Sequence, residues 1–142
     1  MTARYPLVIA GTQIEELQTG DTVTLPSGNP LTNPTVTNYT ETAYTANSST
    51  AITLSLTNGT VQIITLTGNA TITMPTAAAG KSFILLLRQD ATGSRTVTWS
   101  TVNWPSGTAP TITATASKQD IYSFFSDGLS WYGITAGTNY TQ

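Results

Sequence analysis

The stretch ITLSLTNGTVQIITL, residues 52–66, alternates apolar and polar side chains on both sides of a turn dipeptide. Ile52 and every second residue to Leu56 are apolar, which is the period-2 pattern of a half-buried β-strand. Asn58-Gly59 between two such runs is a strong signal for a two-residue hairpin. The sequence therefore predicts two paired strands here.

The neighbouring runs indicate how deeply the strands are buried. The alternation slips at Ile63-Ile64, which predicts either a bulge or a strand covered on both faces. Residues 81–90, KSFILLLRQD, are apolar on both faces. They predict the central and most buried strand, with Lys81 and Arg88 at its wet ends.

Turn signals recur about every ten residues along the rest of the chain, a spacing typical of sandwiches and jelly rolls. No long window shows the 3.6-residue period of a helix. We predict an all-β fold, an antiparallel β-sandwich or jelly roll with an extended N-terminal arm. Further strands are predicted at ATITMP (70–75), RTVTWS (95–100), TITATA (111–116) and a final hairpin that turns at Asp127-Gly128.

Charge is scarce in this chain. Charged residues make up 8% of the 142 residues and the formal net charge is −2, whereas an ordinary soluble domain is roughly 25% charged. Threonine, a β-branched residue that presents an uncharged hydroxyl, fills roughly a fifth of the positions. So little charge gives little repulsion between copies, which favours permanent assembly. The few basic residues are scattered, and no nucleic-acid partner or membrane partner is predicted.

The residue types needed for most catalysis are missing. The chain has no cysteine and no histidine, which removes thiol chemistry, the commonest general base and the commonest transition-metal ligand. Glu15 and Glu16 are adjacent and point to opposite faces of a strand. Asp120 and Asp127 flank one strand at an odd spacing, which also separates them. We expect no enzyme activity, no catalytic residue, no cofactor and no metal site.

The first fifty residues differ from the rest. Residues 27–34, SGNPLTNP, contain two prolines and cannot pair regularly. We interpret residues 1–50 as an arm that makes inter-subunit contacts, with a surface loop as the alternative, and residues 51–142 as the sandwich core. The predicted subunit or partner contacts are Tyr5, Leu7, Ile9, Ile14, Leu17, Tyr39, Tyr44 and Trp104.

The aromatic residues of the last third could pack the core or stack on a sugar. Trp99 alternates in phase with Val97 and is expected to face the core, and Trp131 holds the same position on the last strand. Trp104, followed by Pro105, lies at a corner where it could cap the sandwich, contact a neighbouring subunit or stack on a sugar. Packing is the commoner use of tryptophan, and we favour it here.

Two stretches resemble proteins of tailed bacteriophages. RYPLVIAGTQIEELQTGDTV, residues 4–23, resembles a leader of phage structural proteins. Residues 96–140 resemble a β-module of tail-fibre and other virion proteins. The recognisable residues are Trp104-Pro105-x-Gly107-Thr-x-Pro110, Asp120, Phe124 to Asp127-Gly128, and Trp131-Tyr132-Gly133.

The resemblance implies a structural virion protein without catalytic residues. The main hypothesis is a capsid decoration (cement) protein, a homotrimer that bridges copies of the phage major capsid protein and is assembled in the host cytoplasm. This hypothesis places the protein on the capsid surface of the virion rather than on the tail. The alternative is a short tail-fibre or tail-tip adhesin that recognises a host surface glycan.

Overall fold

The computed structural model describes residues 7–10, 13–16 and 33–142 and divides the chain into two compact units, Met1–Asn38 and Tyr39–Gln142. Strands dominate the described residues, and two short 3-10 turns, Leu56–Asn58 and Pro105–Gly107, interrupt them. The strands are β1 (Leu7–Ala10), β2 (Gln13–Glu16), β3 (Ala43–Ser48), β4 (Ala51–Thr53), β5 (Val61–Leu66), β6 (Ala70–Thr73), β7 (Ser82–Gln89), β8 (Val97–Ser100), β9 (Val102–Asn103), β10 (Lys118–Ser126) and β11 (Trp131–Thr141).

In the N-terminal unit, β1 and β2 form an antiparallel pair in which Leu7 lies opposite Glu16. Three of the predicted contact residues, Leu7, Ile9 and Ile14, lie on these two strands. Two others, Tyr5 and Leu17, lie outside the described residues.

The second unit begins with three successive coils of the chain, which we call turns of chain. They stack so that their equivalent strands run parallel. The chain passes from β3 to β4, from β5 to β6 and from β7 to β8, and each passage moves it from a six-stranded sheet to a three-stranded one. Within the sheets β3, β5 and β7 pair in parallel, as do β4, β6 and β8. Each turn of chain therefore contributes one strand to each sheet.

Antiparallel strands complete the six-stranded sheet, whose order is β3-β5-β7-β10-β11-β9. β10 pairs antiparallel with both β7 and β11, and the short β9 pairs in parallel with β11. The predicted all-β class is confirmed. The pairing is mixed rather than antiparallel throughout, because successive turns of chain return to each sheet in the same direction.

The predicted hairpin at Asn58-Gly59 is wrong. Its two runs belong to different sheets, since β4 pairs with β6 while β5 pairs with β3 and β7. A hairpin turn of this type needs positive φ at both central residues, and of the two only Gly59 has it, at +133°. The fully buried Gln62 holds the actual turn, because its Nε2 donates to the carbonyls of Ser55 and Gly59.

The core lies between the two sheets and follows the predicted alternation. β5 buries every second residue and half-buries the others, and its register is continuous, so the slip at Ile63-Ile64 does not mark a bulge. β7 is central, as predicted, between β5 and β10. The buried apolar residues are Leu54, Ile64, Leu66, Ala70, Ile72, Met74, Phe83, Leu85, Leu87, Trp104, Tyr122, Phe124 and Trp131.

Two segments depart from the predicted organisation. β3 lies in the six-stranded sheet, so residues 43–48 belong to the same compact unit as the predicted core. The predicted strand at residues 111–116 is irregular, because side chains bind its backbone. Thr113 N–H donates to Asp120 Oδ2 at 2.6 Å, and the Thr113 carbonyl accepts from Gln89 Nε2 at 2.9 Å.

Among the described residues, the structure contains no helix with the length and apolar character needed to span a membrane.

Candidate functional site

Four aromatic rings pack together where β8, the Pro105–Gly107 turn and β10 meet. Trp99 lies 5.2 Å from both Trp104 and Tyr122, centroid to centroid, in edge-to-face contacts. Phe124 packs against both tryptophans at 5.9 and 5.7 Å. Trp99 faces inward because it pairs in register with the buried Ile72 of β6. The predicted packing role of these aromatic residues is confirmed.

Trp104 is only 8% exposed. The Pro105–Gly107 turn that follows it contains Ser106 at φ 56° and directs the indole inward over Gly133. A Cβ added at Gly133 would come within 2.6 Å of Trp104 Cζ3, so glycine is needed for this close approach. Trp104 thus caps the core, and its predicted role as a subunit contact stays a prediction.

Trp131 is 2% exposed and joins two parts of the chain that are distant in sequence. Its Nε1 donates to the carbonyl of Pro75 at 2.7 Å, and its ring packs edge-on against Phe83 at 5.2 Å. This bond fixes the connection between β6 and β7 against β11.

The indole N–H groups of Trp99 and Trp104 are buried and have no conventional acceptor among the described residues. Each ring packs edge-on against aromatic neighbours, whose π-faces are weak acceptors. The desolvation free energy of these two buried N–H groups is therefore only partly offset.

A cleft of about 740 Å³ opens beside the aromatic cluster. This volume falls within the range of about 300–1,000 Å³ that is typical of small-molecule sites. All three tryptophans of the chain line it, and none of its lining residues is charged. The lining residues are Met74, Pro75, Thr76, Ala77, Trp99, Thr101, Val102, Asn103, Trp104, Gly107, Ala109, Leu129, Ser130 and Trp131.

The residues that line the cleft differ in exposure: the buried ones form its wall and the exposed ones form its rim. Trp104 and Trp131 are buried, whereas Trp99 is half-buried. Leu129, at 90% exposed, projects at the rim, where the exposed Thr76 and Asn103 add hydroxyl and amide groups. Of the three tryptophans that line the cleft, Trp99 is therefore the least buried.

The rim also contains an unusual backbone conformation at Thr101, which links β8 to β9. Its φ is 53°, in the left-handed region that β-branched residues rarely adopt. Such conformations cost about 1–3 kcal/mol and cluster at binding sites. The backbone at Thr101 is therefore strained, and a segment free of the surrounding structure would not keep this conformation.

Asp127 organises the opposite rim, in the predicted turn between β10 and β11. Its Oδ1 accepts from the backbone N–H groups of Leu129 and Ser130, both at 2.8 Å. Tyr132 donates to Oδ2 at 3.0 Å. The two backbone N–H groups are the main reason that the pKa of Asp127 lies below its ordinary value, and the same contact to Asp127 raises the pKa of Tyr132.

Asp120, for which the sequence predicted no catalytic role, is a buried structural carboxylate. Its Oδ2 accepts from Thr113 N–H and from the Tyr122 hydroxyl, and its Oδ1 accepts from Asn139 N–H at 2.9 Å. Burial, followed by the charge of Asp120, raises the pKa of Tyr122 well above its ordinary range. Asp120 therefore links three segments of the chain. Its spacing from Asp127 in the sequence did not predict this structural role.

Two predicted contact residues of the second unit, Tyr39 and Tyr44, do not line the cleft. Tyr39 is 69% exposed and donates to Glu41 Oε1 at 3.3 Å. Tyr44 is half-buried on β3 and packs against the core. Among the described residues, no group of three or more acidic side chains is placed to hold a metal ion.

Together these features describe an all-β domain with a cleft whose lining residues carry no charge. Residues 52–131 match the protein family described as "Putative phage tail fibre C-terminal domain". Because the match covers more than half of the chain, the protein belongs to this family of phage tail fibre domains. No curated protein and no solved structure matches the chain.

The family confirms part of the functional prediction. The chain is a phage structural protein and a virion component, as the resemblance implied. The match gives no support to the capsid cement role specifically, and it favours the predicted alternative, a tail fibre.

Proposed function

We propose that this chain forms a receptor-binding domain of a phage tail fibre, and that the tryptophan-lined cleft binds neutral sugar units of a host surface glycan. The observation that carries the proposal is the uncharged cleft, which sets the half-buried ring of Trp99 beside hydroxyl and amide groups. The role is one of binding, without catalysis or a cofactor.

The chemistry of the lining favours a neutral carbohydrate. The C–H face of a sugar ring is apolar and packs on an aromatic ring, while its hydroxyls exchange hydrogen bonds with side chains such as Thr76 and Asn103. An anionic ligand would find no cationic partner among the lining residues. A purely apolar ligand would leave the polar rim unsatisfied.

The cement hypothesis differs in its partner and position. It requires contact with the major capsid protein at the head, whereas the family match and the cleft both favour a tail position facing the host. Micrographs of virions labelled with antibody against this chain separate the two. We expect label at the tail, and label over the head would overturn the proposal.

Variants at the rim test the site without disturbing the core. Leu129→Asp places a charge on a side chain that is 90% exposed, and Thr76→Ala removes an exposed hydroxyl. The control is Thr71→Ala, an exposed position on β6 outside the cleft.

The measurement is binding of the labelled protein to host cells and to their purified surface polysaccharide. We expect Leu129→Asp to weaken binding at least tenfold, with a smaller loss for Thr76→Ala and none for the control. Unchanged binding in both rim variants would refute the cleft as the site.

A further inference from the structure

A second groove lies beside the tryptophan-lined cleft, and Pro75 and Thr76 line both. Its volume is about 380 Å³, which also falls within the range typical of small-molecule sites. We call it the lysine groove, because Lys81 is the one charged residue that lines it. The residues that line the cleft carry no charge. The two neighbouring cavities therefore differ in charge, and a ligand that crosses the Pro75-Thr76 segment meets both.

The 3-10 turn Leu56–Asn58 and the residue before it supply hydroxyl groups to the lysine groove. Ser55 Oγ and Thr57 Oγ1 lie 2.7 Å apart and share one hydrogen bond. Two hydroxyls carry two protons between them, so this pair keeps one proton for a ligand. The half-buried Leu56 also lines the groove and adds apolar surface. This wall therefore offers a sugar both hydrogen-bond partners and an apolar contact.

Hydrogen bonds hold the walls of the lysine groove in place. The Ser55 carbonyl accepts from Nε2 of the buried Gln62 at 3.0 Å. The Pro75 carbonyl accepts from Trp131 Nε1 at 2.7 Å. The Lys81 carbonyl accepts from the backbone N–H of the last residue of β10 at 2.9 Å. The groove is thus formed without a ligand, which reduces the ordering entropy that binding would otherwise cost.

The ammonium group of Lys81 is available to an anion. The residue is exposed, and it forms no ion pair with any carboxylate of the described residues. Asp127, in the turn after β10, accepts instead from two backbone N–H groups and from the Tyr132 hydroxyl. An ammonium group has three donors, and a carboxylate or phosphate oxygen is the acceptor that complements its charge.

We propose that the lysine groove binds an anionic sugar unit, whose carboxylate or phosphate group pairs with Lys81, next to the neutral unit in the cleft. The inference rests on the proposed function, because it extends the same glycan across Pro75 and Thr76. The host ligand is then a polysaccharide in which acidic units stand beside neutral ones, and Lys81 selects it over a wholly neutral polysaccharide.

Nuclear magnetic resonance of the isotope-labelled protein tests the groove without the host glycan. The probes are glucose, glucuronate and glucose phosphorylated on its primary hydroxyl. We expect one of the two anions to shift the amide signals of Thr57 and Lys81 more than glucose does, which also distinguishes carboxylate from phosphate. Lys81→Gln should abolish this difference. Equal shifts with all three sugars, or no shift with either anion, would overturn the proposal.

Binding to the purified host polysaccharide provides the second test. Lys81→Gln should weaken binding about fivefold, the upper value for an exposed ion pair, and Lys81→Arg should restore most of the loss. Lys118→Gln is the matched control, because it removes the same charge from a residue that lines neither cavity. It should bind like the wild type. At about 1 M salt, where charges are screened beyond ~3 Å, the effect of Lys81→Gln should largely disappear.

Chemical treatment of the polysaccharide makes the complementary change. Reduction of its carboxyl groups to alcohols, or removal of its phosphate groups, should weaken binding of the wild type as much as Lys81→Gln does and should not weaken Lys81→Gln further. The proposal fails if Lys81→Gln binds the untreated polysaccharide like the wild type, if the two lysine variants lose equally, or if both treatments leave wild-type binding intact. Failure of the cleft alone looks different: Leu129→Asp would bind normally while Lys81→Gln would not.

Discussion

Gly133 of β11 lies directly against the indole of Trp104: a Cβ at Gly133 would approach Cζ3 of Trp104 to 2.6 Å and Cε1 of Phe124 to 2.9 Å. Separations under 3 Å between such atoms are not tolerated without movement, and the obstacles here are two buried rings. The missing side chain at this position is therefore what allows the corner around Trp104 to close over the core.

Gly133→Ala should destabilise the domain by about 1–3 kcal/mol, the usual cost of forcing an extra methyl group into a packed core. Trp104→Phe should rescue part of this loss, since a smaller ring leaves room for the methyl group. Urea denaturation of the two single variants and the double variant provides the coupling energy. Additive losses would show that the two residues do not meet.

Trp131→Phe should cost about 1–2 kcal/mol more than Trp104→Phe. Both changes shorten a buried ring, but only Trp131 loses a hydrogen bond, the one from its Nε1 to the Pro75 carbonyl. Thermal and urea unfolding of the two variants would measure the difference. Equal losses would mean that this bond contributes nothing to stability.

Thr101→Asn should stabilise the domain by about 1 kcal/mol. Asparagine adopts positive φ more readily than a β-branched residue, and Thr101 has φ 53°. Thr98→Asn, on the neighbouring β8, is the control and should be neutral or slightly destabilising, since asparagine is disfavoured in strands. Chemical denaturation tests both, and a destabilised Thr101→Asn would contradict the account of the strain.

Stability should decline at acidic pH partly through Asp90. Its bond to Arg95, followed by backbone N–H groups of Gly93 and Thr92, holds its pKa below the ordinary value of 3.8. The unfolded chain then binds the proton more readily, so the stabilisation is complete above that ordinary value and is lost as the pH falls through the lower folded pKa.

Asp90→Asn should therefore flatten the acid side of a plot of melting temperature against pH, measured between roughly pH 2 and 6. Arg95→Gln leaves the carboxylate in place and removes the largest cause of its low pKa, so it should flatten the plot partially. If the melting temperature falls as steeply toward acidic pH in Asp90→Asn as in the wild type, Asp90 does not contribute to the loss of stability in acid.

The sequence predicts the strands of this fold better than their pairing. Alternation locates β5 to β8 and the final hairpin because burial of one face fixes which residues are apolar. The pairing at Asn58-Gly59 was wrong since the dipeptide signal is local, while the path of the chain there depends on Gln62, a polar residue that is buried by its bonds to two carbonyls. A buried glutamine has no distinctive sequence pattern.

The candidate site was predicted only in its aromatic residues. The phase of Trp99 with Val97 correctly placed it on the core side. The cleft itself combines the β6–β7 connection, the β8–β9 link and the Asp127 turn, which are far apart in sequence. The order of the strands in the sheets brings these segments together, so no residue spacing along the chain predicts their proximity.

The parallel turns of chain and the residues that line the cleft are largely separate along this chain. Every residue that lines the cleft lies at or beyond Met74, whereas β3 and β4 form the outermost turn of the stack and contribute none of them. A stack of this type can gain or lose a whole turn of roughly 20 residues while its remaining repeats keep their neighbours. Duplication of such a turn would therefore lengthen the stack without altering any residue that lines the cleft.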